Sequence, residues 1–189
     1  MKMAFIQAFA VVLFLAILLV IAVIFLFNNL IRVRNRAQNA WAQIDVQLKR
    51  RYDLIPNLIE TVKGYAAHEK QVFENVTQAR AMATGAQNMD QRIQAENMLT
   101  GALRSLFAVA EAYPQLQASQ NFSELQKELA ETESKIAFAR QFYNDTTMKF
   151  NTSIQTFPAN IIAGMLGFTF IPYFELDDIR ERSAAQVKF

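Results

Sequence analysis

The 189 residues include no cysteine and one histidine, with only five glycines and four prolines. The missing cysteine removes disulfides, thiol catalysis and zinc–thiolate sites together, and says little about compartment. With His68 alone, a metal site would have to be built from carboxylates, and no cluster at i+3 or i+4 converges on it. His68, next to Glu69, reads as a solvated helix residue. The glycines are too scattered to cradle a phosphate, and no nucleophile elbow or Ser/His/Asp set is present. A net charge of +2 is too small to suggest nucleic acid. The expectation is a chain with no cofactor that is not an enzyme.

What is present is apolar length. Ala8 to Phe27 is an unbroken apolar run of 20 residues. As a helix it extends about 30 Å, the thickness of a bilayer's hydrocarbon core. A secretory signal's apolar region is usually about 7–15 residues and ends in small side chains. This run ends Phe25-Leu26-Phe27-Asn28-Asn29-Leu30, bulky where a peptidase needs small residues, so it reads as a retained single-pass anchor. Lys2 precedes it; Arg32, Arg34 and Arg36 follow, then Lys49, Arg50 and Arg51. That excess places the C-terminal side in the cytoplasm and the N-terminus outside. The three membrane-flanking arginines can also meet anionic headgroups, at about 1 kcal/mol each.

Beyond the anchor, Val33, Ala37, Trp41, Ile44, Leu48, Tyr52, Ile55, Ile59, Val62, Ala66, Phe73 and Val76 step mostly by three or four, the stripe of an amphipathic helix. One step, Ala66 to Phe73, is seven residues. The phase predicts one rod from the membrane to about Ala83, not reversed at Pro56, whose ring removes a hydrogen bond to the Tyr52 carbonyl. Either Asp53 caps a new helix there or, the favoured reading, the helix kinks and continues. Gly64 is tolerated within it. Thr84–Met89 is the first credible turn. Asp90 then caps a second helix ending at Pro114, and Asn121 or Ser123 caps a third that stops at Pro158. The fold class is all-α: an N-terminal transmembrane helix continuous with an elongated antiparallel three- or four-helix bundle. Its segments are 1–31, 32–157 and an apolar tail, 158–189. With three long segments, the tail should emerge far from the bilayer. Its apolar residues, Ile161, Ile162, Met165, Leu166, Phe168, Tyr173 and Phe174, could fold back on the bundle, cover a neighbouring subunit or meet a second membrane. Folding back is the default.

Several polar residues lie on or beside the stripes. Glu133, Arg140 and Asn144 are spaced by seven and four around Ile136 and Tyr143, while Asp53 and Glu60 flank Ile55 and Ile59. Buried ions cost several kcal/mol unless paired. Arg140 therefore either bridges to Asp53 or Glu60 and fixes helix register, or snorkels to the surface. Trp41, Arg50, Arg51 and Pro56 complete the candidate structural or interface positions. Trp41 lies too far below the membrane for a headgroup belt, so it reads as core packing or an interface anchor.

The stretch Trp41-Ala42-Gln43-Ile44-Asp45 through Arg51-Tyr52-Asp53-Leu54-Ile55-Pro56-Asn57-Leu58 to Gly64-Tyr65-Ala66 resembles the LemA family. So do Val109–Pro114, Ile136–Arg140 with Tyr143-Asn144, Phe157-Pro158-Ala159-Asn160 and Pro172-Tyr173-Phe174-Glu175. The resemblance implies a protein of the bacterial inner membrane, with one N-terminal helix, a short outside terminus and a cytoplasmic helical domain. Some members of that family belong to magnetosome membranes and others are connected with envelope stress and membrane proteases. The tail here is shorter and more apolar than the acidic tails of some members. The leading functional expectation is a non-enzymatic scaffold that self-associates as a homo-oligomer and organises or remodels bacterial membrane or an envelope complex. The alternative is an accessory or sensor subunit gripping another membrane protein, such as an envelope-stress protease, through the Trp41–Pro56 surface. A ligand-binding bundle would need a cavity between helices.

Overall fold

The structure, a computed structural model, describes residues 2–175. It contains α1 (Lys2–Lys63), α2 (Lys70–Gly85), α3 (Met89–Glu111), α4 (Pro114–Gln117), α5 (Gln120–Gln155) and α6 (Ala159–Met165), with no strand among the described residues. The tail beyond residue 175 lies outside them. Helix α1 passes without interruption through Asn28-Asn29 and Pro56, and its apolar N-terminal part is long enough to cross a membrane.

The first helix ends at Lys63, not Ala83. Tyr65 and Ala66 both donate to the Val62 carbonyl, at 3.0 and 2.9 Å, and the Glu69 amide closes on the Ala66 carbonyl at 3.1 Å. Gly64 weakens the helix at this point, and Ala66 is buried as the peg of the turn. The seven-residue apolar step was this loop. His68 therefore sits in a turn rather than on a helix. Other caps also move. Asn88, not Asp90, caps α3, its side chain accepting from the Gln91 amide at 2.9 Å. Pro114 opens α4 instead of an irregular stretch, and α5 begins at Gln120, so Ser123 is already helical.

The chain divides into two compact units, Met1–Trp41 with Phe142–Pro172, and Ala42–Gln141 with Tyr173–Phe189. In the second unit, Asp45 pairs with Arg92 and Arg51 with Glu96, so α1 and α3 run the same way. α2 runs between them in the opposite sense, with Arg80 reaching back to Tyr52. Ile44, Leu48, Ile55, Leu58, Val62, Val76, Leu99 and Leu106 are wholly buried there, each contributing roughly 1.5–3 kcal/mol by leaving water.

In the first unit, Trp41 meets Tyr143 while Leu30 packs near Ile154, so α5 returns antiparallel to α1. Ile162 and Ala163 of α6 bury against Leu30, with Leu26, Ile154, Ala159 and Phe168 around them. The tail thus folds back where α1 leaves its apolar run, and not at the far end. The reversal at residues 64–69 is what the expected path lacked; with it, the last long helix heads back toward the anchor. Gly167 makes the turn after α6 at φ +70°. Phe168 and Gly167 amides close on Ala163 and Gly164 carbonyls at 3.0 and 3.4 Å, a Schellman closure that suits a glycine.

Candidate functional site

The second unit gathers its unusual chemistry around Arg51. Adjacent residues Arg51 and Tyr52 project from α1, and Glu96 and Thr100 stand one turn apart on α3. Arg51 donates through Nη1 to Glu96 Oε2 at 3.3 Å and through Nη2 to Thr100 Oγ1 at 3.1 Å. Its Nη1 also lies 3.3 Å from Glu133 on α5. The Tyr52 hydroxyl donates to the other Glu96 oxygen. Arg51 is 4 % exposed and Glu96 0 %, so this is a buried ion pair with its lone pairs occupied. Pro56 frees the Tyr52 carbonyl from the helix ladder, and Arg80 Nε of α2 takes it at 2.7 Å. At the cluster's edge, Arg92 bonds Asp45 at 2.7 Å and the Ala86 carbonyl at 3.3 Å.

The first unit is built differently, around a strap. The Asn151 side chain grips Ile171 both ways, donating to its carbonyl at 2.8 Å and accepting from its amide at 3.0 Å. Tyr143 donates to the Pro172 carbonyl at 2.8 Å and holds Trp41 at 5.5 Å between ring centroids. Phe150 stands edge-on to Phe168 at 6.1 Å, and the Arg34 guanidinium lies 5.8 Å over that same Phe168 ring.

The expected site residues therefore separate. Arg32, Arg34 and Arg36 are exposed, as are Arg50, Asp53 and Pro56. Arg51 points inward, where neither lipid nor a partner can reach it. Glu60 is exposed and pairs with Lys63 at 2.9 Å. Arg51 and Arg92 make interhelical ion pairs, and Arg140 and Asn144 are half-buried. Tyr143 is buried and Trp41 half-buried. In the tail, Ile162 and Phe174 are buried, Phe168 and Tyr173 half-buried, and Ile161, Met165 and Leu166 exposed. Glu96, Thr100, Arg80 and Asn151 were missed. Glu96 sits midway between Ile93 and Leu99, in phase with the α3 stripe, which was its signal. No three His, Asp or Glu side chains converge as a metal site among the described residues.

The profile of the LemA family matches residues 40–189. The chain belongs to the LemA family. The match begins thirteen positions after the last residue of the apolar run, Phe27, and takes in both the Arg51 cluster and the strap. Protein LemA of Metamycoplasma hominis is 28 % identical over 157 residues, covering 80 % of this chain and 70 % of its own length. Magnetosome protein MamQ 2 of Paramagnetospirillum magneticum is 26 % identical over 196 residues, covering 90 % and 70 %. Magnetosome protein MamQ of Magnetospirillum gryphiswaldense is 24 % identical, covering 78 % and 64 %. Family and apolar helix together describe a membrane-associated helical protein.

In this LemA-family chain, burial holds the Glu96 carboxyl above its ordinary 4.5, against the pull of the Tyr52 hydrogen bond and the Arg51 charge. Burial, then the Glu96 charge, likewise pushes the Tyr52 phenol upward, so its proton stays in place. Above pH 4.5 the folded chain keeps a proton that the unfolded chain has released. Stability must then fall as pH rises from there through the raised value. Glu96→Gln removes this titration while keeping an acceptor for Tyr52. The wild-type stability relative to Glu96→Gln, read from urea unfolding at a series of pH values, should decline across that interval. A pH-independent difference would sink the assignment.

Proposed function

We propose that this protein is a non-enzymatic, single-pass scaffold of the bacterial inner membrane, with its helical domain cytoplasmic, which self-associates to organise or shape membrane or an envelope complex. The observation that carries the reading is how polar and apolar groups are distributed. Of the perturbed titratable groups, Tyr52 and Glu96 are consumed by one another inside the bundle, and the buried Tyr143 hydroxyl is spent on the Pro172 carbonyl. Large apolar side chains instead stand outward: Phe138 on α5 is 74 % exposed and Val46 on α1 64 %. Each lies five residues from the Arg51–Glu133 pair, so on the antiparallel α1 and α5 they occupy one level. We read these two exposed apolar side chains at one level as part of a contact between proteins. The exposed Arg32, Arg34 and Arg36 support the cytoplasmic side, and relatives named magnetosome proteins are in keeping with work at a membrane.

The absence of cysteine makes the test clean. Phe138→Cys, treated with a short bifunctional thiol reagent in native membranes, should give an adduct of twice the chain's mass. One heterologous adduct would instead favour an accessory subunit of another membrane protein. Chains that stay monomeric at every density, at both Phe138→Cys and Val46→Cys, would refute self-association through this surface.

A further inference from the structure

The tail's outward face is unexplained by anything above. From Phe150 to Phe174 no residue is charged. Within that span, Ile162 and Ala163 turn inward onto Leu30, yet Phe157 is 80 % exposed, Met165 82 %, Ile161 56 %, Leu166 54 % and Phe170 55 %. Five large apolar side chains on one short excursion exceed the scattered singles normal on a water-facing surface.

Their position identifies the occupant. Leu26, which packs against the same cluster, belongs to the apolar run itself. Leu30 follows the run's last residue, Phe27, by three positions, about 4–5 Å of helix rise. The exposed face of α6 therefore continues the lipid-facing surface of α1 at the depth where acyl chains give way to headgroups. Polar groups complete the fit. Arg32, Arg34 and Arg36 are exposed within six residues of Leu30, at the level of lipid phosphates, and Arg34 also braces Phe168 from that side. The strap at Asn151 and Tyr143 satisfies the backbone of Ile171 and Pro172, so the excursion enters an apolar boundary without carrying those groups unpaired. A short apolar face with a cationic edge is how a segment lies in a membrane interface rather than across it.

We infer that α6 and its flanking residues are a second, interfacial contact with the same bilayer that α1 crosses, with Phe157, Ile161, Met165, Leu166 and Phe170 set among lipid headgroups and upper acyl chains. The contact fixes the rotation of α1 about its own axis, because only one side of the helix carries α6. It needs no self-association, so its test runs at one copy per vesicle.

The full chain would be reconstituted into phosphatidylcholine–phosphatidylglycerol vesicles with an environment-sensitive fluorophore on Met165→Cys. Because Met165 is exposed, the substitution leaves the packing intact. Nitroxides placed high on the lipid chains should quench this label about twofold or more. A label on Gln38→Cys, which is exposed about 16 Å past Phe27 along α1, should escape quenching. A label on Phe14→Cys should respond best to nitroxides placed deep. Adding Ile161→Asp to the Met165-labelled chain should abolish most of its quenching. A Met165 label as unquenched as that at Gln38 overturns the inference. So does a label shielded only when copies per vesicle are raised, which would assign the face to a second chain. An unquenched Phe14 label would overturn it together with the anchor, whereas loss of crosslinking at Phe138 alone would leave it standing.

Discussion

Arg51→Ala is expected to destabilise the folded protein by about 3–5 kcal/mol, the cost of stranding a buried charge. The loss is not the strength of the ion pair. Arg51 and Glu96 both gave up hydration to enter the bundle, and their attraction at 3.3 Å returns much of that cost. Removing the cation leaves the carboxylate with the Tyr52 hydroxyl as its remaining strong donor, since Glu133 adds only repulsion. Glu96 can escape by taking a proton, so the penalty should shrink as pH falls toward 4.5. Arg51→Met with Glu96→Gln removes both charges and keeps the Tyr52 acceptor. That double variant should recover to within about 1–2 kcal/mol of wild type. Urea unfolding of wild type, Arg51→Met, Glu96→Gln and the double variant in mild detergent closes the cycle, and strictly additive effects would refute the coupling. What the cluster supplies is register: five donor and acceptor side chains on α1, α3 and α5 can be satisfied together only at one axial setting of the helices.

Much of this was legible in the sequence, and the failures have physical causes. The lipid-length run, the continuation of α1 through Pro56 and the all-helical bundle followed from spacing alone, because apolar periodicity over long helices is a strong signal. The missed reversal at residues 64–69 is short and keeps Ala66 buried, so the stripe looked unbroken except for the step to Phe73. That one loop reversed the inferred location of the tail. Arg51 was among the candidate structural positions, but its burial and its partners were missed for a related reason. Arg51 falls beside Tyr52 and reads as one more basic residue near the membrane, whereas its partners Glu96 and Thr100 lie 45 and 49 positions away. Long-range pairing of that kind leaves no mark on local periodicity. Pro56 is the intermediate case: the freed Tyr52 carbonyl was readable, but the donor that reaches it, Arg80, was not.

Phe150→Ala is expected to release the strap, at a cost of about 3–5 kcal/mol. Phe150 is 1 % exposed and its ring is the surface on which Phe168 lands. The competing view is that polar grips hold the strap. Asn151 makes two bonds to Ile171 and Tyr143 one to Pro172, but breaking such bonds costs only about 1–3 kcal/mol for each group left unsatisfied. Aromatic packing should therefore dominate retention, with Asn151 setting where the strap stops. Hydrogen exchange separates the two. The Phe168 amide donates to Ala163 and the Ile171 amide to Asn151, both at 3.0 Å. Phe150→Ala should accelerate exchange at both by about a hundredfold or more through local opening, while amides in α3 keep their protection. Asn151→Ala should act mainly at Ile171, and by less. If Phe150→Ala lowers global stability yet leaves both amides protected, the strap is held elsewhere. Because α6 reaches Leu30 only while Phe168 stays packed, release of the strap should also withdraw Met165 from lipid.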